Sequence, residues 1–211
     1  MKRPVLFVLA GVNGAGKSSI GGHLLKTAGQ SWFNPDDYAK ELMRVVDCDQ
    51  VQANAAAWQE GLNRLDDAVA TSSNFAFETT LGGTTIPARI LKASATHDIL
   101  IWYCGLASVD LHVSRVRSRV AAGGHDIPED KIRERWTRSL ENLIVLLPHL
   151  AHLCVYDNSA EAAPGKSVPD PVLVVELVDG KLWQPRTLKA LKATPDWAKS
   201  LLEAALTMDG T

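Results

Sequence analysis

The sequence predicts an α/β protein with a mostly parallel sheet and helices on both faces. Three observations predict it. Short apolar runs rich in β-branched and aromatic residues alternate with longer segments of helical character. Directly after the first run stands Gly11-Val12-Asn13-Gly14-Ala15-Gly16-Lys17-Ser18, which fits G-x-x-x-x-G-K-[ST] at every fixed position. Finally, 211 residues with 46% hydrophobic and 22% charged side chains suffice for one sizeable core, so a single unit is expected over residues 1–211.

In chain order, Pro4–Ala10 reads as a short buried strand and Ser18–Thr27 as the helix behind the glycine loop. Ser31-Trp32-Phe33 is a second short strand delivering Asn34-Pro35-Asp36-Asp37, and a helix follows over Tyr38–Val46. An alanine-rich helix from Val51 to Ala70 precedes a third strand, Phe75–Glu78, after which come Gly82-Gly83 and a helix over Ile86–Ala95. The fourth strand is Ile99–Cys104, the next helix Asp110–Val120, and Ala121–Pro128 breaks it. A helix from Glu129 to Leu147 leads to a fifth strand, Leu153–Tyr156. Beyond a proline-rich loop at Pro164–Pro171, Val172–Leu177, Asp179-Gly180 and Lys181–Trp183 resemble a hairpin, and Pro195–Leu206 closes the chain as a helix. Strands separated by helices imply parallel pairing with both faces covered.

Composition removes several function classes. A net charge of −2 supplies no basic field for nucleic acid. Cys48, Cys104 and Cys154 are few, odd in number and widely spaced, which indicates neither a disulfide framework nor a zinc site. Met1-Lys2-Arg3 runs straight into the first strand, unlike a signal peptide, and no apolar run approaches the roughly 20 residues that span a bilayer. The expectation is a cytoplasmic protein with no membrane partner.

The glycine loop carries the chemistry. Glycines allow close backbone approach, so successive N–H groups between Gly11 and Ser19, including those of Asn13, Gly14, Ala15 and Gly16, can point at phosphate oxygens. Lys17 then reaches the terminal phosphates and Ser18 holds Mg²⁺, which makes a nucleoside triphosphate such as ATP the expected ligand. In open parallel sheets the remaining chemistry is sought just after the carboxyl ends of strands. Asp36 stands there as a candidate proton acceptor, with Asp37 read as the cap of the following helix. Glu78 stands at another strand tip, followed by Thr80, and is suited to Mg²⁺ or a substrate hydroxyl. Glu60 reaches substrate if its helix borders the cleft and is otherwise a solvated residue. Arg115 and Arg119 share a helix face while Arg117 points elsewhere, and Arg133, Arg135 and Arg138 follow the Gly123-Gly124 break. Two basic helices so joined form a lid over a triphosphate. His125 is either a substrate contact or part of the hinge.

Taken in order, the glycine loop at 11–18, Asn-Pro-Asp-Asp at 34–37, Phe-Ala-Phe-Glu-Thr-Thr-Leu at 75–81 and Gly-Gly-His-Asp-Ile-Pro-Glu at 123–129, followed by Arg135, Ser139 and Asn142, resemble the zeta toxin family of P-loop kinases. The resemblance covers roughly residues 5–158. It implies a P-loop NTPase/kinase fold and transfer of the γ-phosphoryl group of ATP, with Mg²⁺, to the 3′-hydroxyl of the sugar in UDP-N-acetylglucosamine. It also implies Asp36 as catalytic base, Lys17 and Ser18 as phosphate and Mg²⁺ contacts, Arg119 with Arg135 or Arg138 as charge stabilisers, and an antitoxin protein as partner. Asn34 occupies the position of the family's first acidic residue. Two other readings stand beside it: a kinase for a different small hydroxyl compound or a nucleic-acid end, and a nucleotide-dependent switch that binds a partner.

Overall fold

The computed structural model of the chain describes residues 2–18, 21, 32–161 and 169–210. Ser19, Ser31, most of the helix expected at 18–27 and most of the proline-rich loop at 164–171 lie outside them. Six strands form one sheet: β1 (Val5–Ala10), β2 (Phe75–Thr79), β3 (Asp98–Gly105), β4 (His152–Asp157), β5 (Val172–Val178) and β6 (Lys181–Gln184). Their order is β2-β1-β3-β4-β5-β6. The first four pair in parallel, as the alternation of strands and helices requires, and β5 and β6 add as an antiparallel hairpin through the two-residue turn Asp179-Gly180. Of the described residues in the expected second strand, Phe33 alone pairs, in an isolated parallel bridge to Phe77 on the outer side of β2.

Strand periodicity divides the core. Leu6, Val8 and Ala10 of β1 face one side and Phe7 and Leu9 the other. The first side, continued by Ile99, Ile101, Leu153 and Val155, packs under four helices: α2 (Gln50–Thr71), α3 (Thr85–Ala93), α5 (Glu129–Leu146) and α7 (Lys199–Asp209). On the other side Trp102 meets Phe7 edge to face at 4.9 Å, and Gly21 lies against Leu9. The remaining helices among the described residues are α1 (Pro35–Val45), α4 (Val109–Ala121) and the short α6 (Leu188–Lys192). None of the described helices is long and apolar enough to cross a membrane. The three cysteines are free.

Helix ends explain two departures from expectation. α1 starts at Pro35 rather than Tyr38, because Asn34 Oδ1 accepts from the backbone N–H groups of Asp36 (2.9 Å) and Asp37 (3.4 Å). Asn34, not Asp37, is therefore the cap, and proline at the first helical position suits it. Asp37 instead pairs with Lys40 on the exposed face. The Gly123-Gly124 break is a helix stop more than a loose hinge. Gly123, at φ 89°, donates its N–H to Val120 O, and Gly124 donates to Arg119 O, the two bonds of a Schellman cap.

From β1 the chain passes first to the Phe33 and β2 side, then crosses β1 to reach β3 and β4. The order reverses at β1, so the crevice at its carboxyl end, where Gly11–Ser18 lies, is the place for a ligand. The central core carries the stability of this frame. Ile101→Ala, at a fully buried position of β3, should cost about 2–5 kcal/mol in denaturant unfolding. Leu188→Ala, 77% exposed, should change it by no more than about 0.5 kcal/mol.

Candidate active site

A cavity of about 630 Å³ opens over the carboxyl ends of β1 and β2. Its floor is the glycine loop. Gly16 has φ 85° and any Cβ there would strike Asn158 Nδ2, so the loop can follow this path only with glycine. Three side chains from elsewhere brace its backbone and Asn13. Asn158 Nδ2 donates to Ala15 O (2.8 Å), His112 Nδ1 donates to Asn13 O (2.8 Å), and Arg135 Nη1 donates to Asn13 Oδ1 (2.8 Å).

Lys17 begins the helix after the loop with its side chain only 7% exposed. Its ammonium lies 3.5 Å from Glu78 Oε1 and 3.5 Å from Val12 O. Glu78, at the tip of β2 opposite Leu9, also accepts from Ser18 Oγ (3.1 Å) and Asn34 Nδ2 (3.2 Å). One carboxylate thus joins the loop lysine, the loop serine and the cap of α1. On that helix, Asp36 Oδ2 lies 4.0 Å from Arg119 Nη1 and 3.9 Å from His125 Nε2. Arg119 Nη2 donates to His125 O (3.3 Å), while its buried Nε has no hydrogen-bond partner among the described residues. Arg115, Arg119, Lys131 and Arg135 line the cavity with Lys17, against the carboxylates of Asp36, Glu78 and Asp126. Cations exceed anions there in a protein whose net charge is negative. An anionic ligand fits such a lining.

The two basic helices are fastened to each other and to the sheet. Arg117 pairs with Glu129 (2.7 Å) and Arg133 bridges Asp110 and Glu129, on the exposed side away from the cavity. Ser139 Oγ donates to Thr80 O (2.6 Å) and accepts from Tyr103 O–H (3.1 Å); Asn142 Nδ2 donates to Leu81 O and Gly83 O. Burial raises the Tyr103 phenol to about 12, so it remains a donor at neutral pH.

Most of the residues singled out in the sequence meet at this cavity: Asn13, Gly14, Gly16, Lys17, Ser18, Asp36, Glu78, Thr80, Arg119, His125 and Arg135 line it. Gly11 and Ala15 are buried in the loop beneath. Two do not line it. Glu60 pairs with Arg64 (2.7 Å), whose guanidinium lies over the Phe33 ring. Arg138, 54% exposed, is drawn back by Glu134 (2.6 Å) one turn before it. Other residues enter from α2, where Asn54, Ala57, Trp58 and Gly61 form a wall with Phe33, Phe77 and Ile86. Asn158 follows the carboxyl end of β4, the same position that marks Asp36 and Glu78, and was findable by that rule. His112 carries no such signal, since its positions on α4 read as core.

No protein-family model matches the chain. Over 137 residues it is 28% identical to an uncharacterized protein of Haemophilus influenzae, covering 60% of this chain and 88% of that protein. Its fold is similar to AvrRxo1-ORF1:-ORF2 solved with ATP, with a TM-score of 0.64 at 15% identity over 97% of this chain and 64% of that one. The chain therefore spans about two thirds of that neighbour's length. It is also similar to the PezAT chromosomal toxin–antitoxin system of Streptococcus pneumoniae, with a TM-score of 0.53 at 16% identity over 96% of this chain and 89% of the other. A third neighbour belongs to the Pnkp1/Rnl/Hen1 RNA repair complex, with a TM-score of 0.52 at 20% identity over 68% and 46% of the two chains. At these identities the likeness is one of fold, an α/β fold of P-loop kinase type.

His112 gives the loop a pH dependence. Burial, joined by the charges of Lys17 and Arg115, lowers its imidazole to about 4, against the bond to Asn13 O that favours the protonated form. The folded value lies below the unfolded one of about 6.5, so its contribution is complete above that pH and drains away as pH falls toward 4. Unfolding at about pH 5 should show roughly 2 kcal/mol less stability from this group than at pH 8. His112→Gln, which keeps a donor for Asn13 O, should remove that part of the acid sensitivity.

Proposed function

We propose that this chain is an ATP-dependent phosphotransferase acting on a hydroxyl of a small molecule, with a nucleotide sugar as acceptor and UDP-N-acetylglucosamine foremost. One observation carries the reading: Asp36 faces Arg119 and His125 across the cavity whose floor holds the loop lysine. A switch that only binds nucleotide has no use for an acceptor base opposite a cationic cluster.

In this reading Asp36 takes the proton of the acceptor hydroxyl as its oxygen bonds the γ-phosphorus of ATP and the bond to the β–γ bridging oxygen breaks, releasing ADP. Lys17 and Arg119 face the charge that gathers on the equatorial oxygens, and Arg135, held to Asn13, completes that side. The hard oxygen donors Ser18 Oγ and Glu78, 3.1 Å apart, suit Mg²⁺, which when bound with the triphosphate neutralises phosphate charge. His125, 17% exposed and lining the cavity, contacts the acceptor side of Asp36 and keeps water out. Phe33, Trp58, Phe77 and Ile86 give the acceptor an apolar, aromatic wall suited to a ring-bearing molecule. AvrRxo1-ORF1:-ORF2 is a complex and PezAT a toxin–antitoxin system, and an antitoxin protein is the counterpart in this reading.

Incubation with Mg·ATP and a panel of UDP-sugars, read by ADP release and mass spectrometry, tests the proposal. Wild type should phosphorylate a UDP-sugar. Asp36→Asn should bind ATP normally and lose about 10²–10⁴-fold in kcat, and Lys17→Ala should lose nucleotide binding. Turnover that survives Asp36→Asn removes the base from the mechanism. ATP binding with no acceptor-dependent ADP release, from any UDP-sugar or from a metabolite extract, turns the reading to a nucleotide switch.

A further inference from the structure

A second group of ligating side chains lies away from the cavity. His152 and Cys154 are two residues apart on β4 and so project from the same face, and Glu176 on β5 stands directly opposite Cys154 in the antiparallel register. His152 Nε2 lies 3.0 Å from Glu176 Oε1 and 3.4 Å from Cys154 Sγ. One ligand atom from each lies within 4.8 Å of the others. Around a tetrahedral zinc ion with bonds of about 2.0–2.3 Å, neighbouring ligand atoms stand about 3.2–3.6 Å apart. Two of the three separations, 3.0 and 3.4 Å, are already close to that spacing, and the third lies within 4.8 Å.

We propose that His152, Cys154 and Glu176 form a zinc site, with the fourth position open to water. Thiolate, imidazole and carboxylate together suit zinc and disfavour Mg²⁺, which takes oxygen donors. The Cys154 thiol gives its proton to solvent on binding. The His152 imidazole, which donates Nε2–H to Glu176 here, moves that proton to Nδ1 so that the Nε2 lone pair faces the ion. Leu100 and Trp102 stand beside His152 and Cys154 on β3 and make that flank apolar, which strengthens charge-bearing bonds to a metal. The ion would fasten β4 to β5 at the line where the sheet changes from parallel to antiparallel. The spacing of the cysteines alone hides this arrangement, because one ligand comes from a neighbouring strand.

Titration of the metal-free full chain with Co²⁺, without nucleotide or Mg²⁺, tests it. One ion per chain should bind with a thiolate-to-cobalt charge-transfer absorption, and Zn²⁺ should displace it. Cys154→Ser should abolish that absorption, Cys48→Ser should leave it unchanged, and His152→Ala and Glu176→Gln should each weaken affinity at least about tenfold, all on chains with wild-type circular dichroism. If Cys154→Ser does not fold, the His152 and Glu176 variants decide by the same titration. Absence of the absorption in wild type, its survival in Cys154→Ser, or unchanged affinity in His152→Ala and Glu176→Gln overturns the site.

Discussion

Lys17 sets its ammonium at 7% exposure against the Glu78 carboxylate, and the geometry around it follows from that burial. A buried ammonium must have a counter-charge and hydrogen-bond acceptors or its burial is prohibitive. Glu78 supplies the charge from the tip of β2, and Val12 supplies a carbonyl. The same carboxylate then holds Ser18 and Asn34, and Asn34 in turn caps the helix that carries Asp36. Three links connect the loop lysine to the candidate base, Lys17 to Glu78, Glu78 to Asn34 and Asn34 to Asp36. Removing one partner of such a buried pair typically costs about 3–5 kcal/mol, so the register between loop and base is strongly held.

The arginines divide by burial into two roles. Arg117 and Arg133 make exposed, solvent-screened pairs with acids on the facing helix, and they align α4 with α5 without touching the cavity. Arg119 and Arg135 turn inward instead. Arg135 is already satisfied by Asn13, while the Nε of Arg119 has no acceptor among the described residues, which makes Arg119 the more responsive of the two to an incoming anion.

Much of this was legible in the sequence because it is local. The phosphate loop is a contiguous motif, β1 and β3 are apolar runs with little ambiguity, and Asp36 and Glu78 lie where an open parallel sheet puts its chemistry. The cap of α1 was missed, with Asp37 read in its place, although Pro35, suited to the first helical position, leaves Asn34 as the residue before it. What else escaped depends on partners distant in sequence. Asn54, Ala57, Trp58 and Gly61 share one face of α2 and Glu60 lies about a third of a turn away, but no periodicity says which face meets the cleft. Arg138 competes for Glu134, a neighbour visible in the sequence whose stronger claim is not. His112 braces Asn13 across 99 residues of chain, a contact that only the folded packing creates.

Ser139 and Asn142 pin the middle of α5 to the strand tip through Thr80, Leu81 and Gly83. Any closing movement of this helix is consequently that of a short lever with its fulcrum at Ser139. The arm from there to Glu129 is about 15 Å at 1.5 Å per residue, so a tilt of roughly five degrees carries its free end only about 1 Å. A tilt of that size carries Lys131 and Arg135, which line the cavity from α5, by about 1 Å or less.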